Sequence, residues 1–175
     1  MSGVVGFGTK SGVAGHLAPG TTVLLYSGYE TADHNSSNDG GCVTSALATG
    51  ATILPHPDND ILIYFSVSLS AGNGSRYWAH IRKGGSDLTG SIANASGNRK
   101  RTTIAGSGTN SNQIDATGSI MYVDVNPYTG SALTYDILVQ PETGQTVHMN
   151  QSNSDSNSAT VARACSSLQV FEIHR

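Results

Sequence analysis

Between Asp60 and Ala71 the chain reads DILIYFSVSLSA, and apolar positions recur there with a period of two. Ile61, Ile63, Phe65, Val67 and Leu69 share one face, while Leu62, Tyr64, Ser66, Ser68 and Ser70 share the other. Successive side chains of a pleated strand point to opposite faces, so this pattern predicts a half-buried strand with one wholly apolar face. Its β-branched and aromatic content also favours a strand over a helix. The second face becomes polar along its length, yet its serines are too small and uncharged for an ordinary exterior. They are expected to meet a subunit contact or a second layer, and Ser68→Arg is expected to disturb assembly more than folding.

The same pattern extends along the chain. TTVLLY (21–26) predicts a first strand, 30–41 a polar loop, and 42–48 and 51–54 short strands parted by Gly50. HPDND (56–60) predicts a tight turn into the long strand; it lacks the twelve-residue spacing of a calcium loop. RYWAHIRK (76–83) alternates Tyr77, Ala79 and Ile81 with Arg76, Trp78, His80 and Arg82, and Gly84-Gly85-Ser86 predicts a hairpin returning over 87–92. Residues 93–116 read as a polar, glycine-rich loop. SIMYVDV (119–125), ALTYDILVQ (132–140), QTVHMNQ (145–151) and SLQVFEIH (167–174) are strand patterns. Turns with Pro early and Gly late, 126–130 and 141–144, join the first three, which predicts two antiparallel hairpins. No stretch predicts a helix of three turns.

Composition strengthens the all-β prediction. Only 12% of the 175 residues are Asp, Glu, Lys or Arg, against 21 glycines and abundant Ser, Thr and Asn. Such turn-residue density fits many short strands joined by loops. The expected fold is an antiparallel β-sandwich over 21–175 preceded by an extended glycine-rich arm, 1–20, which carries glycine at 3, 6, 8, 12, 15 and 20. So much glycine makes the arm costly to order on its own, which predicts that it docks on something else. Val4, Val5, Phe7, Val13, His16 and Leu17 are its candidate partner contacts.

A formal charge of -3 offers no argument for nucleic acid or an anionic membrane as partner. No apolar stretch reaches bilayer length, and the first twelve residues lack the apolar core of a secretion signal, so a soluble chain is expected. Without such a signal the N-x-[ST] sequons at Asn35, Asn73, Asn94 and Asn150 carry no functional weight. Cys42 and Cys165 are read as buried free thiols, with a disulfide as the alternative.

Candidate chemistry is sparse. The nucleophile turn G-x-S-x-G is absent, and the histidines at 16, 34, 56, 80, 148 and 174 lack zinc-ligand spacing. Asp124, Asp136 and Glu172 are the carboxylates that folding could bring together for glycoside cleavage. Arg99-Lys100-Arg101 is expected to be a solvated or bridging loop, because a nucleic-acid surface needs more basic residues and interleaved aromatics. The Arg76, Trp78, His80 and Arg82 stripe could read a ligand by stacking and hydrogen bonding, or serve as an exterior or an interface with a neighbouring copy. No catalytic residue, cofactor or metal site is expected. Ser66, Ser68, Trp78 and Arg82 are the candidate subunit contacts.

The order DILIYFSVSLSAG, YWAHIRKGGSDLTG, an Arg-containing polar loop, SIMYVDVNPYTGSALTYDILVQ, GQTVHMNQS and SSLQVFEI resembles small structural proteins of tailed bacteriophages, particularly those of marine bacteria and cyanobacteria. The matching positions are Tyr77, Ile81 and Gly84, then Pro127, Thr129 and Tyr135, then Leu168, Val170, Glu172 and Ile173, within residues 60–173. The resemblance implies a jelly-roll-like domain that trimerises as a capsid decoration (cement) protein, a head fibre or a tail-fibre tip. A fibre needs a shaft, and neither heptads nor a long β-repeat precedes the domain. A decoration protein on the capsid surface, assembled in the host cytoplasm and bound to the major capsid protein or another virion protein, is therefore expected. The alternative is a receptor-binding tip for a host glycan or protein, reading through the loops at 30–41, 94–112 and 152–158.

Overall fold

The alternating stretch forms the longest of the described strands, β4 (Asp60–Ala71), and every residue of its apolar face is buried. The computed structural model describes residues 19–31, 34–36, 51–109, 114–159 and 161–175. The arm contacts Val4, Val5, Phe7, Val13, His16 and Leu17, the strand expected over 42–48, and Cys42 lie outside these residues.

Two antiparallel sheets pack face to face as a β-sandwich. In the first sheet β4 is flanked on one side by β8 (Ala116–Asp124), which pairs with it from Ile61 to Leu69. On its other side lie β11 (Ser166–Ile173), opposite the first half of β4, and β10 (Val147–Met149), opposite its end. β1 (Thr22–Glu30) and β2 (His34–Ser36) complete the sheet by pairing with β11 and β10. Since β10 and β11 run in the same direction along one edge of β4, they are two pieces of one strand line, interrupted by an excursion over 151–165.

In the second sheet β5 (Arg76–Lys83) pairs with β9 (Leu133–Pro141) on one side, and β3 (Ala51–Ile53) lies beyond β9. On its other side β5 pairs with β6 (Ser86–Asp87) and β7 (Ile104–Ser107). The core between the sheets joins Ile61, Ile63, Phe65, Val67 and Leu69 to Leu168 and Val170, and to Tyr77, Ala79, Ile81, Tyr135, Ile137 and Val139. Two glycines make room for side chains at the core, Gly106 beside its cross-strand neighbour Tyr77 and Gly118 facing Ile104 of the other sheet. A Cβ at Gly106 would run into the Tyr77 ring, and one at Gly118 would run into Ile104.

The structure corrects several sequence-based expectations. β8, β9 and β10 form no consecutive hairpins; the chain crosses from the first sheet to the second and back. The predicted turn glycines are nonetheless in place, with φ of 81° at Gly130 and 74° at Gly144. Alternation reports which face of a strand is buried and not which strand it pairs with, so both arrangements satisfy the pattern. The expected return strand over 87–92 is cut to β6, after which the chain turns through a short 3-10 segment, Thr89–Ser91. Two segments expected as loops hold the short edge strands β2 and β7. Cys165 is an exposed free thiol, not a buried one.

Candidate functional site

The outward side of β5 carries Trp78, His80 and Arg82, paired in register with Gln140, Leu138 and Asp136 of β9. Arg82 donates from Nε and Nη2 to the two Asp136 carboxylate oxygens at 2.6 and 2.9 Å, a bidentate pair that occupies its guanidinium. The Lys100 ammonium lies 5.7 Å from the centre of the Trp78 ring. Arg99 and Arg101 bond within their own loop, to Ser96 Oγ and the Ala93 carbonyl.

His80 is the exception in this self-satisfied stripe. It is buried, neither ring nitrogen has a hydrogen-bond partner, and the Asp87 carboxylate stands 3.6 Å from Nδ1. Burial lowers its pKa, while Asp87 pulls in the opposite direction. A ligand reading this face would have to compete with Asp136 for Arg82.

Ser66 and Ser68 lie on the outward side of the other sheet, so the four expected subunit contacts do not form one patch: Trp78 and Arg82 occupy the opposite outer face. The two serines also differ from each other. Ser66 is half-buried, whereas Ser68 is 2% exposed and donates from Oγ to the Cys165 carbonyl at 3.3 Å. The cover over Ser68 and Ser70 is the excursion at 151–165, to which Ser70 Oγ donates through the Gln151 carbonyl at 2.7 Å.

The excursion leaves the strand line at Asn150, whose φ is 67°, and rejoins it at Ser166. Ser166 Oγ ties the two ends by donating to Asn150 Oδ1 at 2.7 Å, and it accepts from the Ser68 amide at 3.1 Å. Arg163 grips Asp155 through two hydrogen bonds, 3.1 and 2.7 Å, inside the excursion. The second layer allowed for Ser68 and Ser70 is thus the chain itself.

The carboxylates weighed for catalysis have separate partners. Asp136 holds Arg82, and Glu172 accepts the His56 amide at 2.6 Å. Asp124 accepts both Lys83 Nζ, at 2.8 Å, and the Tyr135 hydroxyl, at 2.7 Å. Because Lys83 and Tyr135 come from the second sheet and Asp124 from the first, this cluster clamps the sheets together at one end of the core. Tyr135 is fully buried, and burial together with the adjacent Asp124 carboxylate raises its pKa strongly. No family model matches this sequence, and no curated protein is significantly similar to it.

Sequence reasoning missed the clamp, the fold of the excursion and the exposure of Leu24, Met121 and Val123. The clamp had one visible signal: Lys83 and Tyr135 continue the inward parity of Tyr77, Ala79 and Ile81 and of Ile137 and Val139, so a lysine at an inward position demanded an acid.

Proposed function

We propose that this chain is a non-enzymatic structural protein of a tailed-phage particle, a trimeric capsid decoration protein that binds the shell through its N-terminal arm and the base of the sandwich. The observation that carries this reading is the disposition of charge. Arg82 with Asp136, Lys83 with Asp124, Arg163 with Asp155 and Arg175 with Asp60 are committed to internal pairs. Broad sheet surface is left uncharged. Contact surfaces of this kind lose little on desolvation, which suits burial between subunits better than chemistry on a small substrate. The resemblance to small phage structural proteins supports the same reading.

A decoration protein needs no reaction. It binds the assembled shell and not its dispersed subunits, and so stabilises the shell by mass action, by about 2.7 kcal/mol per site at a concentration one hundred times Kd. Deletion of residues 2–19 tests the arm: binding to particles lacking the protein is expected to be lost, while the circular dichroism of the domain stays unchanged. Undiminished binding would remove the arm as anchor.

One observation favours a second reading, that of a receptor-binding tip. The excursion encloses a polar surface depression of about 380 Å³ lined by Asp155, Ser156, Asn157, Ser158, Val161 and Arg163, and recognition commonly resides on such loops. Adsorption of the isolated protein to host cells, abolished by Asn157→Ala, would favour that function; absence of adsorption together with capsid binding would remove it.

A further inference from the structure

We propose that copies of this chain associate with one another through the outward face of the first sheet, centred on Leu62 and Tyr64. Pairing register places one apolar row across four strands. Leu24 of β1 lies beside Phe171 of β11, Phe171 beside Leu62 of β4, and Leu62 beside Val123 of β8. The next row sets Tyr64 beside Met121. A bulge between Leu24 and Tyr26 presents Leu25 as well. Leu24 is 51% exposed, Met121 64% and Val123 38%, although strands of this kind ordinarily turn polar residues to water.

Three features identify the occupant as the same face of another copy. Its charge is the first. Among the described outward side chains of β1, β11, β4 and β8 the one charged residue is Asp60, which sits at the rim and is held by Arg175 at 2.7 Å. A face without free charge can meet itself across a symmetry axis with no like-charge repulsion, and self-complementarity is what closed homo-oligomers require.

Shape is the second. A twisted sheet face is covered best by another sheet about 10 Å away. The chain's own second sheet is already used on the inner side.

Area is the third. Four strands about 4.8 Å apart and roughly 30 Å long present a footprint of about 600 Å². Two copies would bury about 1,200 Å², at the lower bound of stable interfaces.

This inference rests on the reading of the chain as self-associating and names the surface that does it. It requires neither a phage nor a shell, so its test uses the purified full-length chain alone. A face that packs on itself closes about a twofold axis, so sedimentation across a concentration series is expected to show an even-numbered assembly, a dimer or a pair of trimers. Met121→Glu and Leu24→Glu are each expected to weaken association about a hundredfold, since every copy would bring a charge to the apolar contact. Both sites are open to solvent, so circular dichroism and the monomer's unfolding midpoint should not move. Thr52→Glu, an exposed change on the second sheet, should leave association intact.

A parent that stays monomeric or stops at three copies at all concentrations overturns the inference, as does an assembly that survives both glutamates or one that Thr52→Glu alone dissolves. If the parent is monomeric and Met121→Glu abolishes particle binding, the face belongs to the shell protein instead. Association through this face without any particle binding would overturn the virion reading and leave this inference standing.

Discussion

Ser66→Arg and Ser68→Arg place the same charge two residues apart on one face of β4, and the structure predicts opposite consequences. At Ser66 the long side chain can lie along the open sheet and keep its guanidinium in water. The expected folding cost is below about 1 kcal/mol, in the ordinary range for surface changes. At Ser68 the side chain meets the strand-line junction and the Cys165 carbonyl, in a site 2% exposed. The arginine must either stay buried without a counter-charge, at about 3–5 kcal/mol, or lift the excursion and break the Ser70 bond to Gln151.

That cost is a large share of the roughly 5–15 kcal/mol that holds a domain folded. For a chain of this length each kcal/mol moves the melting temperature by about 2–4 °C. Ser68→Arg should therefore lower Tm by roughly 6–20 °C, and Ser66→Arg by less than about 4 °C. Urea unfolding at a dilution where the parent is monomeric gives the folding cost, and sedimentation at high concentration gives the assembly cost. Ser66→Arg should weaken assembly with little loss of stability; Ser68→Arg should do the reverse of what its sequence alone leads one to expect. Folding costs within about 1 kcal/mol of each other would refute the covered and open environments assigned to these serines.

Tyr135→Phe should cost about 1.5–3 kcal/mol, because it removes a hydrogen bond to the buried Asp124 carboxylate, whereas Tyr77→Phe should be neutral or stabilising. The Tyr77 hydroxyl is buried without a hydrogen-bond partner, and equal costs in urea unfolding would contradict the distinction. Gly106→Ala should cost about 1–3 kcal/mol by pushing a Cβ into the Tyr77 ring; an unchanged unfolding midpoint would count against that packing. Since burial lowers the His80 pKa, the unfolded chain takes up its proton first as pH falls below about 6.5, and stability is lost from there downward. His80→Gln should flatten that slope by up to about 1.4 kcal/mol per pH unit, whereas an unchanged slope between pH 7 and 5 would place His80 in a more open setting.

The sheets were legible wherever alternation ran long. β4, β5 and β11 announce themselves because Ile61 to Leu69, Tyr77 to Ile81 and Leu168 to Val170 each load one face. Partner choice was not legible, since Tyr135, Ile137 and Val139 would alternate identically in a hairpin with β8 or against β5. The edge strands β2 and β7 join their sheets through backbone hydrogen bonds, and sequences such as HNS and IAGS carry little apolar pattern. Ser66 and Ser68 look equivalent in sequence because the excursion that separates their fates starts about 80 residues further along. The exposed row from Leu24 to Val123 was hidden for a related reason: its members come from four distant segments, and only the register aligns them.

The most direct measurement locates the protein on the particle. Electron microscopy of phage carrying a gold-labelled tag at the C-terminus of this chain should show label over the capsid surface, grouped around local threefold axes. Label confined to the tail tip, or absent from purified particles, would contradict the assignment as a capsid decoration protein.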